Sequence, residues 1–128
     1  TILTDYLIEQ GKILYTLNEE EMNALNEILP SNWSRNNPVD IIGDAMADRY
    51  EKTLKIVTMF ESVDLIYVVV TPQHMTDSLA IAQLCEREWG KKIYPILLGG
   101  HEMEEAARYL ASRQKLFFKT LQSATSFL

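Results

Sequence analysis

The sequence predicts a single α/β domain in which a parallel sheet carries helices on both faces. Two runs rich in β-branched and aromatic residues, 65–70 and 93–98, alternate with segments whose apolar residues recur at helical spacing. Strands that alternate with helices in this way pair in parallel through crossover connections. A chain of 128 residues, 47% of them hydrophobic, has room for one core of this kind.

The first third of the chain is predicted to be a lead-in to this unit. Apolar spacing indicates a helix over 2–10 and a short strand over 12–17. Asn18 and Glu21 have the spacing of a capping box, which predicts that a helix begins there and covers 19–29. A polar connector bounded by prolines follows, and the main unit begins after it.

The main unit is predicted to begin with a strand over 39–43 and a helix over 46–60. The run over 65–70 is uninterrupted by polar residues, as is typical of a central parallel strand. A helix over 77–89 and the strand over 93–98 come next. The sequence ends with a predicted helix over 102–112, a short strand over 116–118 and a further helical stretch. The methionines and tryptophan on the helical stripes are expected to lie in the core: Met46, Met59, Met75 and Trp89.

Charge and cysteine content exclude several classes of protein. The formal net charge of −6 and the isoelectric point near 4.9 disfavour contacts with nucleic-acid phosphates. One cysteine, Cys85, allows no internal disulfide and fits a reducing compartment, which predicts a cytoplasmic protein. No apolar run is long enough to span a membrane. Because Thr1 is not an initiator methionine and the sequence ends on apolar residues, we expect a piece of a longer chain.

A ligand site is expected where the parallel strands end. In open parallel sheets, ligands bind beyond the carboxyl ends of the strands, beside helix N-termini with unpaired N–H groups. Here the corresponding loops are 40–45, 71–77 and 98–102.

The loop 71–77 is the strongest candidate and suits an anion. It combines hydroxyl, amide and imidazole side chains at the start of a helix, where the dipole favours negative charge. The alternative is that Thr71 or Asp77 simply caps the helix. A carboxylate that pointed inward would repel an anion, so Asp77 is assigned to the cap.

Other candidate residues have weaker support. Neither His74 nor His101 has a neighbouring nucleophile or orienting carboxylate in the sequence. Asp40 and Asp44 could bind magnesium or act as an acid pair, but turn formation and N-capping are the favoured explanation. Gly99-Gly100 is too short to be a phosphate cradle by itself, and the sequence has neither a nucleotide-binding glycine motif nor a zinc cluster.

Two separated motifs resemble a known family. The sequence NPVDIIGDA over 37–45, preceded by LPSNWSR, and the sequence TPQHMTD over 71–77 are similar to motifs of the NDP-forming acyl-CoA synthetases. The resemblance covers nearly the whole chain. It implies a three-layer, flavodoxin-like (Rossmann-like) domain, similar to the C-terminal domain of the succinyl-CoA synthetase beta subunit. We expect residues 37–128 to form that domain and residues 1–36 to be its helical lead-in.

The resemblance also implies a reaction. Enzymes of this family interconvert acyl-CoA with carboxylate, CoA and ATP through an acyl phosphate and a phosphohistidine. The phosphohistidine and the nucleotide belong to other domains, namely a phosphohistidine domain and an ATP-grasp domain, beside a CoA-binding domain. The expected cofactors of the parent enzyme are ATP or ADP, Mg²⁺ and CoA, with none held by these 128 residues alone, and the isolated chain is expected to be inactive.

For this chain the resemblance implies docking of a phosphoryl group, with no catalytic residue and no metal ligand of its own. The implied sites are an anion-binding loop, an acyl-site loop and a second glycine loop: Thr71, Gln73, His74, Met75 and Thr76; Asn37, Val39, Asp40 and Gly43; Gly99 and Gly100. The alternative is a regulatory or interaction module, as in protein lysine acetyltransferases that contain the same domain arrangement. A phosphoacceptor signalling domain is a weaker third possibility, because the strand before Gly99 ends without a lysine.

Overall fold

The computed structural model describes residues 17–29, 31, 47–61, 63, 65–71 and 77–127. The predicted helix over 2–10, nearly all of the predicted strand over 12–17 and the predicted strand over 39–43 lie outside these residues. The described elements are, in chain order, α1 (Glu19–Asn26), α2 (Ala47–Val57), β1 (Leu65–Val70), α3 (Ser78–Glu86), β2 (Lys92–Leu97), a 3-10 turn (Gly100–Met103), α4 (Glu104–Ser112) and α5 (Leu121–Phe127).

Helix α1 begins at the predicted capping box. The Glu21 N–H donates to Asn18 Oδ1 (2.8 Å), and the Asn18 N–H donates to Glu21 Oε1 (2.9 Å). The helix ends at Asn26, short of the predicted residue 29, although turn bonds continue to Leu29. Leu25 and Leu29 are buried against the end of α2, and this contact attaches the lead-in helix to the main unit.

The two strands are parallel, as predicted, and form the centre of the described sheet. Leu65 lies beside Lys92, and the register continues to Val70 beside Leu97. On the other edge of β2, Phe118 forms an isolated parallel bridge, because its N–H donates to the Pro95 carbonyl (2.9 Å) and its carbonyl accepts from the Leu97 N–H (2.8 Å). The predicted strand over 116–118 is therefore reduced to one paired residue. Helix α5 begins only three residues after Phe118, so the segment is too short to pair with β2 over several residues.

Helices cover both faces of this sheet, which confirms the predicted α/β fold. Alternate strand residues such as Val70 and Ile93 point to one face, where α2, α3 and α4 supply the remainder of the main core. The fully buried members of that core are Val70, Ile81, Ala82, Cys85, Ala106 and Leu110. Helix α5 lies on the opposite face, because the Tyr67 hydroxyl donates to the Ala124 carbonyl (2.6 Å) and Phe127 contacts the Tyr94 ring edge-on.

One predicted core residue is exposed. Met59 lies in the turn after α2, and 78% of its surface is accessible, so its assignment to the core is wrong. The helical stripe on which that prediction rested ends with α2 at Val57. Trp89 is half-buried, packs against the main core, and donates from Nε1 to the Leu84 carbonyl (2.7 Å).

The amino-terminal edge of the sheet is held by a lysine. Lys91, immediately before β2, donates from Nζ to the carbonyls of Phe60 (3.0 Å) and Val63 (2.5 Å) in the connection between α2 and β1. Across the described parts of the chain, no helix is both long and apolar enough to cross a membrane.

Candidate functional site

The carboxyl ends of β1 and β2 lie side by side and direct two loops to the same edge of the sheet. The Leu98 N–H, just beyond β2, donates to the Val70 carbonyl at the end of β1 (2.9 Å). Parallel pairing thus extends to the point where both loops begin. The candidate residue Thr71, which is half-buried, and the second candidate loop at Gly99 therefore begin at adjacent positions.

The first turn of α3 is capped by Asp77, as the sequence predicts. The Asp77 carboxylate accepts from the Ala80 N–H (3.0 Å), and the Asp77 carbonyl accepts from the Ile81 N–H (3.1 Å). The cap bond uses the N–H group of Ala80. The N–H groups of Ser78 and Leu79, also in the first turn, do not take part in this bond. Because first-turn N–H groups and the helix dipole both attract negative charge, this end of α3 can stabilise an anion.

The second loop reverses the chain through two glycines. Gly99 has φ of 125° and Gly100 has φ of 60°, conformations that residues with a Cβ atom rarely adopt. The 3-10 turn that follows is anchored by its last residue, Met103. Met103 is 3% exposed and lies in the same hydrophobic core as Ile81 of α3. The second loop and the first turn of α3 are therefore attached to one core at one edge.

A short chain of ionic contacts begins in this second loop, and sequence reasoning missed it. His101 Nδ1 lies 3.6 Å from Glu104 Oε2, and Arg108 Nη2 lies 3.3 Å from the same oxygen. The (i, i+3) and (i, i+4) spacing of these residues on a predicted helix was the available signal. The His101 side chain is 90% exposed and its ionic contact is to a carboxylate, an arrangement that gives no support to a nucleophilic role.

Several predicted site residues lie outside the described residues. These are Gln73, His74, Met75 and Thr76 of the anion loop, and Asn37, Val39, Asp40 and Gly43 of the acyl-site loop, together with Asp44. Among the described candidates, the bond from Leu98 to Val70 places Thr71 and Gly99 at adjacent positions, while Asp77 caps α3. Among all the residues that the structure describes, no group of three or more histidine, cysteine, aspartate or glutamate side chains is placed to hold a metal ion.

The single cysteine lies in the core, away from this edge. Cys85 is fully buried, and burial raises the pKa of its thiol to about 12. A thiol that stays protonated at neutral pH is a poor nucleophile. Its environment therefore fits a packing role.

Comparison with curated proteins finds relatives that are ligases. Acetate–CoA ligase (ADP-forming) I of Archaeoglobus fulgidus is 36% identical over 102 residues, which are 80% of this chain and 14% of that protein. Acetate–CoA ligase (ADP-forming) II subunit alpha of Pyrococcus furiosus is 25% identical over 117 residues, which are 85% of this chain and 25% of that subunit. The chain thus spans a quarter or less of the length of these relatives. No protein-family model matches it.

Comparison with solved structures finds the same fold. The dinucleotide-forming acetyl-coenzyme A synthetase 1 of Candidatus Korarchaeum cryptofilum superimposes with a TM-score of 0.85 and 25% identity, over 97% of this chain and 28% of that one. The match is equally good for its apo form and for its complex with phosphate and ADP. The described α/β arrangement is therefore that of a segment within a much longer enzyme.

Proposed function

We propose that this chain, which is homologous over most of its length to a segment of the NDP-forming acyl-CoA synthetases, holds a phosphoryl group for such an enzyme at the N-terminus of α3. The reaction proposed for the parent enzyme interconverts acyl-CoA with carboxylate, CoA and ATP. An acyl phosphate and a phosphohistidine on another domain would be its intermediates. In this proposal residues 37–128 form the docking domain and residues 1–36 form its lead-in.

The observation that carries the proposal is the hydrogen bond from Leu98 to Val70. It keeps the loop that enters α3 and the glycine loop that enters α4 at one edge of the sheet. Peptide donors fixed at such an edge need little reorganisation when a phosphoryl group arrives, so they can stabilise its charge during transfer. The contribution of this chain would be electrostatic, while the covalent chemistry takes place on other domains.

The proposal assigns cofactors to the rest of the enzyme. ATP or ADP and Mg²⁺ would be bound by an ATP-grasp domain, CoA by a CoA-binding domain, and the phosphohistidine would arrive from a third domain. One feature of the described residues fits this division, because the Asp77 carboxylate is already used to cap α3. The loop 37–43 would lie beside the acyl group.

Phosphate titration of the isolated chain, followed by amide NMR, tests the proposal. We expect millimolar inorganic phosphate to shift the amide signals of Ser78, Leu79 and the loop 71–76, with smaller shifts at Gly99 and Gly100. Acetyl phosphate should shift the same signals, because it presents the same phosphoryl oxygens.

A chloride titration at matched ionic strength provides the control. Shifts that chloride reproduces would reflect screening and would argue against a site. If the first-turn amides of α3 do not respond to phosphate, docking at this helix is wrong. The sequence and fold relationship to the synthetases would be unaffected by that result.

A further inference from the structure

An apolar surface remains open beside α5. Phe127 contacts the rings of Tyr94 and Phe118, each with 5.5 Å between centroids, yet 51% of it is accessible. Leu116 is 40% exposed. Phe118 lies in the aromatic cluster whereas Phe117 packs against the main core, so alternation along the segment places Leu116 on the side of Phe118. Tyr94, Leu116 and Phe127 thus form one surface, which we call the α5 face.

The segment that borders the α5 face is fixed at both ends. At its start, the Lys115 N–H donates to the carbonyl of buried Leu110 (3.0 Å), and Gln114 adopts a left-handed φ of 57° in this helix-ending turn. At its end, Phe118 is bonded to β2 through both its N–H and its carbonyl. A segment held in this way loses little conformational entropy when a partner docks, so the α5 face is a preformed surface.

Positive charge is concentrated around this face. Residues 106–128 contain four of the 12 basic residues of the chain and none of its 18 acidic residues, although the formal charge of the whole chain is −6. Lys115 Nζ lies 5.6 Å from the centroid of the Tyr94 ring, and Lys119, which follows Phe118, is exposed. The α5 face is therefore apolar at its centre and basic at its rim.

The two lysines at this rim have no carboxylate partner in the part of the chain that the structure describes. Elsewhere, Arg87 of α3 pairs with Glu51 of α2. Lys115 and Lys119 form no such ion pair with any described residue. Unpaired cations beside exposed aromatic and aliphatic side chains are complementary to a surface that presents carboxylates around an apolar centre.

The length of the related enzymes indicates where such a partner comes from. The chain spans a quarter or less of the length of its curated relatives, so most of an enzyme of that kind lies outside these 128 residues. A domain joined through the same polypeptide reaches the α5 face at a high effective concentration and needs only a modest intrinsic affinity. A second copy in a symmetric dimer would instead bring two basic rims together, which like-charge repulsion disfavours.

From these observations we propose that the α5 face is the docking surface for another domain of the parent enzyme, which presents aspartate or glutamate side chains around an apolar centre. The docked domain covers Phe127 and Leu116, and its carboxylates pair with Lys115 and Lys119. This docking requires the chain to be part of a longer enzyme but is independent of phosphate binding at α3.

Zero-length cross-linking of the full-length parent enzyme tests this docking. A water-soluble carbodiimide joins a lysine amine to a carboxylate only where the two groups are in contact, and mass spectrometry identifies the joined peptides. We expect Lys115 and Lys119 to link to aspartate or glutamate residues that lie outside residues 1–128.

Hydrogen exchange provides a second, independent measurement. We expect the amides of α5 to exchange about tenfold more slowly in the full-length enzyme than in the isolated chain, and Lys115→Glu combined with Lys119→Glu to remove that difference. The control combines Lys52→Glu with Lys92→Glu, which changes the net charge equally at exposed positions of α2 and β2 and should leave the difference intact. Circular dichroism of the isolated variants checks that both remain folded.

Cross-links from Lys115 and Lys119 only to carboxylates within residues 1–128, of the same copy or of a second one, would overturn the proposal. Equal exchange of α5 in the full-length enzyme and in the isolated chain would mean that the α5 face is uncovered in the enzyme, which also overturns it. Loss of protection in both double variants would show a general effect of charge and no docking at this face. The phosphate titration described above tests the α3 site separately, because none of these measurements involves it.

Discussion

At the scale of single residues, Asp77 performs two opposing functions at the candidate site. Its carboxylate caps α3 through the Ala80 N–H at 3.0 Å, which stabilises the helix. The same carboxylate places a negative charge at the helix end that is proposed to receive an anion. A neutral side chain of the same shape can separate these effects.

We expect Asp77→Asn to keep the cap and to tighten phosphate binding about two- to fivefold, because asparagine caps as well as aspartate and carries no charge. Asp77→Ala should instead lower the free energy of unfolding by about 1 kcal/mol. Urea denaturation and phosphate titration of both variants check these values. Weaker phosphate binding in Asp77→Asn would contradict the placement of the anion.

Cys85 gives a second prediction at this scale, in the dependence of stability on pH. Burial raises the pKa of its thiol from 9.0 to about 12, and Lys115 opposes the shift only in part. The folded state therefore favours the neutral thiol. The resulting stabilisation is fully present below pH 9 and is lost as the pH rises towards 12.

The measurement is urea denaturation of the wild type and of Cys85→Ala between pH 7 and 11. We expect the difference in free energy of unfolding between them to shrink above pH 9. A difference that stayed constant over this range would show that the thiol is not shielded. Other titrating groups are common to both proteins and cancel.

At the scale of elements, the connection between α2 and β1 depends on a contact far away in sequence. Lys91 Nζ donates to the carbonyls of Phe60 and Val63, 31 and 28 residues earlier. No local pattern predicts this bond, because it forms only when the end of α3 is brought beside that connection. The capping box and the strand runs, in contrast, are local signals. The helix predicted to start after Asn18 begins at Glu19, and the strands predicted over 65–70 and 93–98 are found at Leu65–Val70 and Lys92–Leu97.

Lys91→Met should lower the free energy of unfolding by about 1.5–3 kcal/mol, since it removes two hydrogen bonds from a charged donor. Lys92→Met is the matched control, because Lys92 is exposed. This change should alter the free energy of unfolding by less than about 0.5 kcal/mol. Thermal denaturation of the two variants provides the comparison. Equal effects would mean that the Lys91 bonds contribute nothing specific.

At the scale of the whole molecule, the sheet is stabilised by two unequal layers. The layer formed by α2, α3 and α4 contains most of the buried apolar residues. The layer formed by α5 depends on an aromatic cluster of Tyr67, Tyr94, Phe118 and Phe127, and 51% of Phe127 is exposed. We expect the two layers to differ in stability.

Ile81→Ala should lower the free energy of global unfolding by about 2–5 kcal/mol, because Ile81 is fully buried in the larger layer. Tyr67→Phe removes only the hydroxyl that holds the Ala124 carbonyl, so it should cost about 1 kcal/mol and speed amide exchange mainly in α5. Hydrogen exchange measured residue by residue distinguishes the two effects. Faster exchange throughout the sheet in Tyr67→Phe would contradict a separate, weaker layer.

The sequence predicts the fold better than it predicts the site. Local patterns identify helix α3 and the two parallel strands, and the resemblance to the acyl-CoA synthetases is confirmed by the relatives and the matching structures. The sequence pattern is wrong at the ends of two elements: α2 ends at Val57 and leaves Met59 exposed, and only Phe118 of the strand predicted over 116–118 is paired. The contact between His101 and Glu104 was signalled only by its (i, i+3) spacing, and the geometry of the preceding glycine turn, which sets where His101 lies, has no such local signal.

The hydrogen bond between Tyr67 and Ala124 also has a kinetic consequence. It joins residues that are 57 positions apart in the sequence. The paired strands β1 and β2, in contrast, are separated only by one crossover through α3. Contacts that close longer loops cost more chain entropy and tend to form later. During refolding, α5 should therefore dock after the sheet and its three helices have assembled, and a protease added early should cut first near residues 119–120.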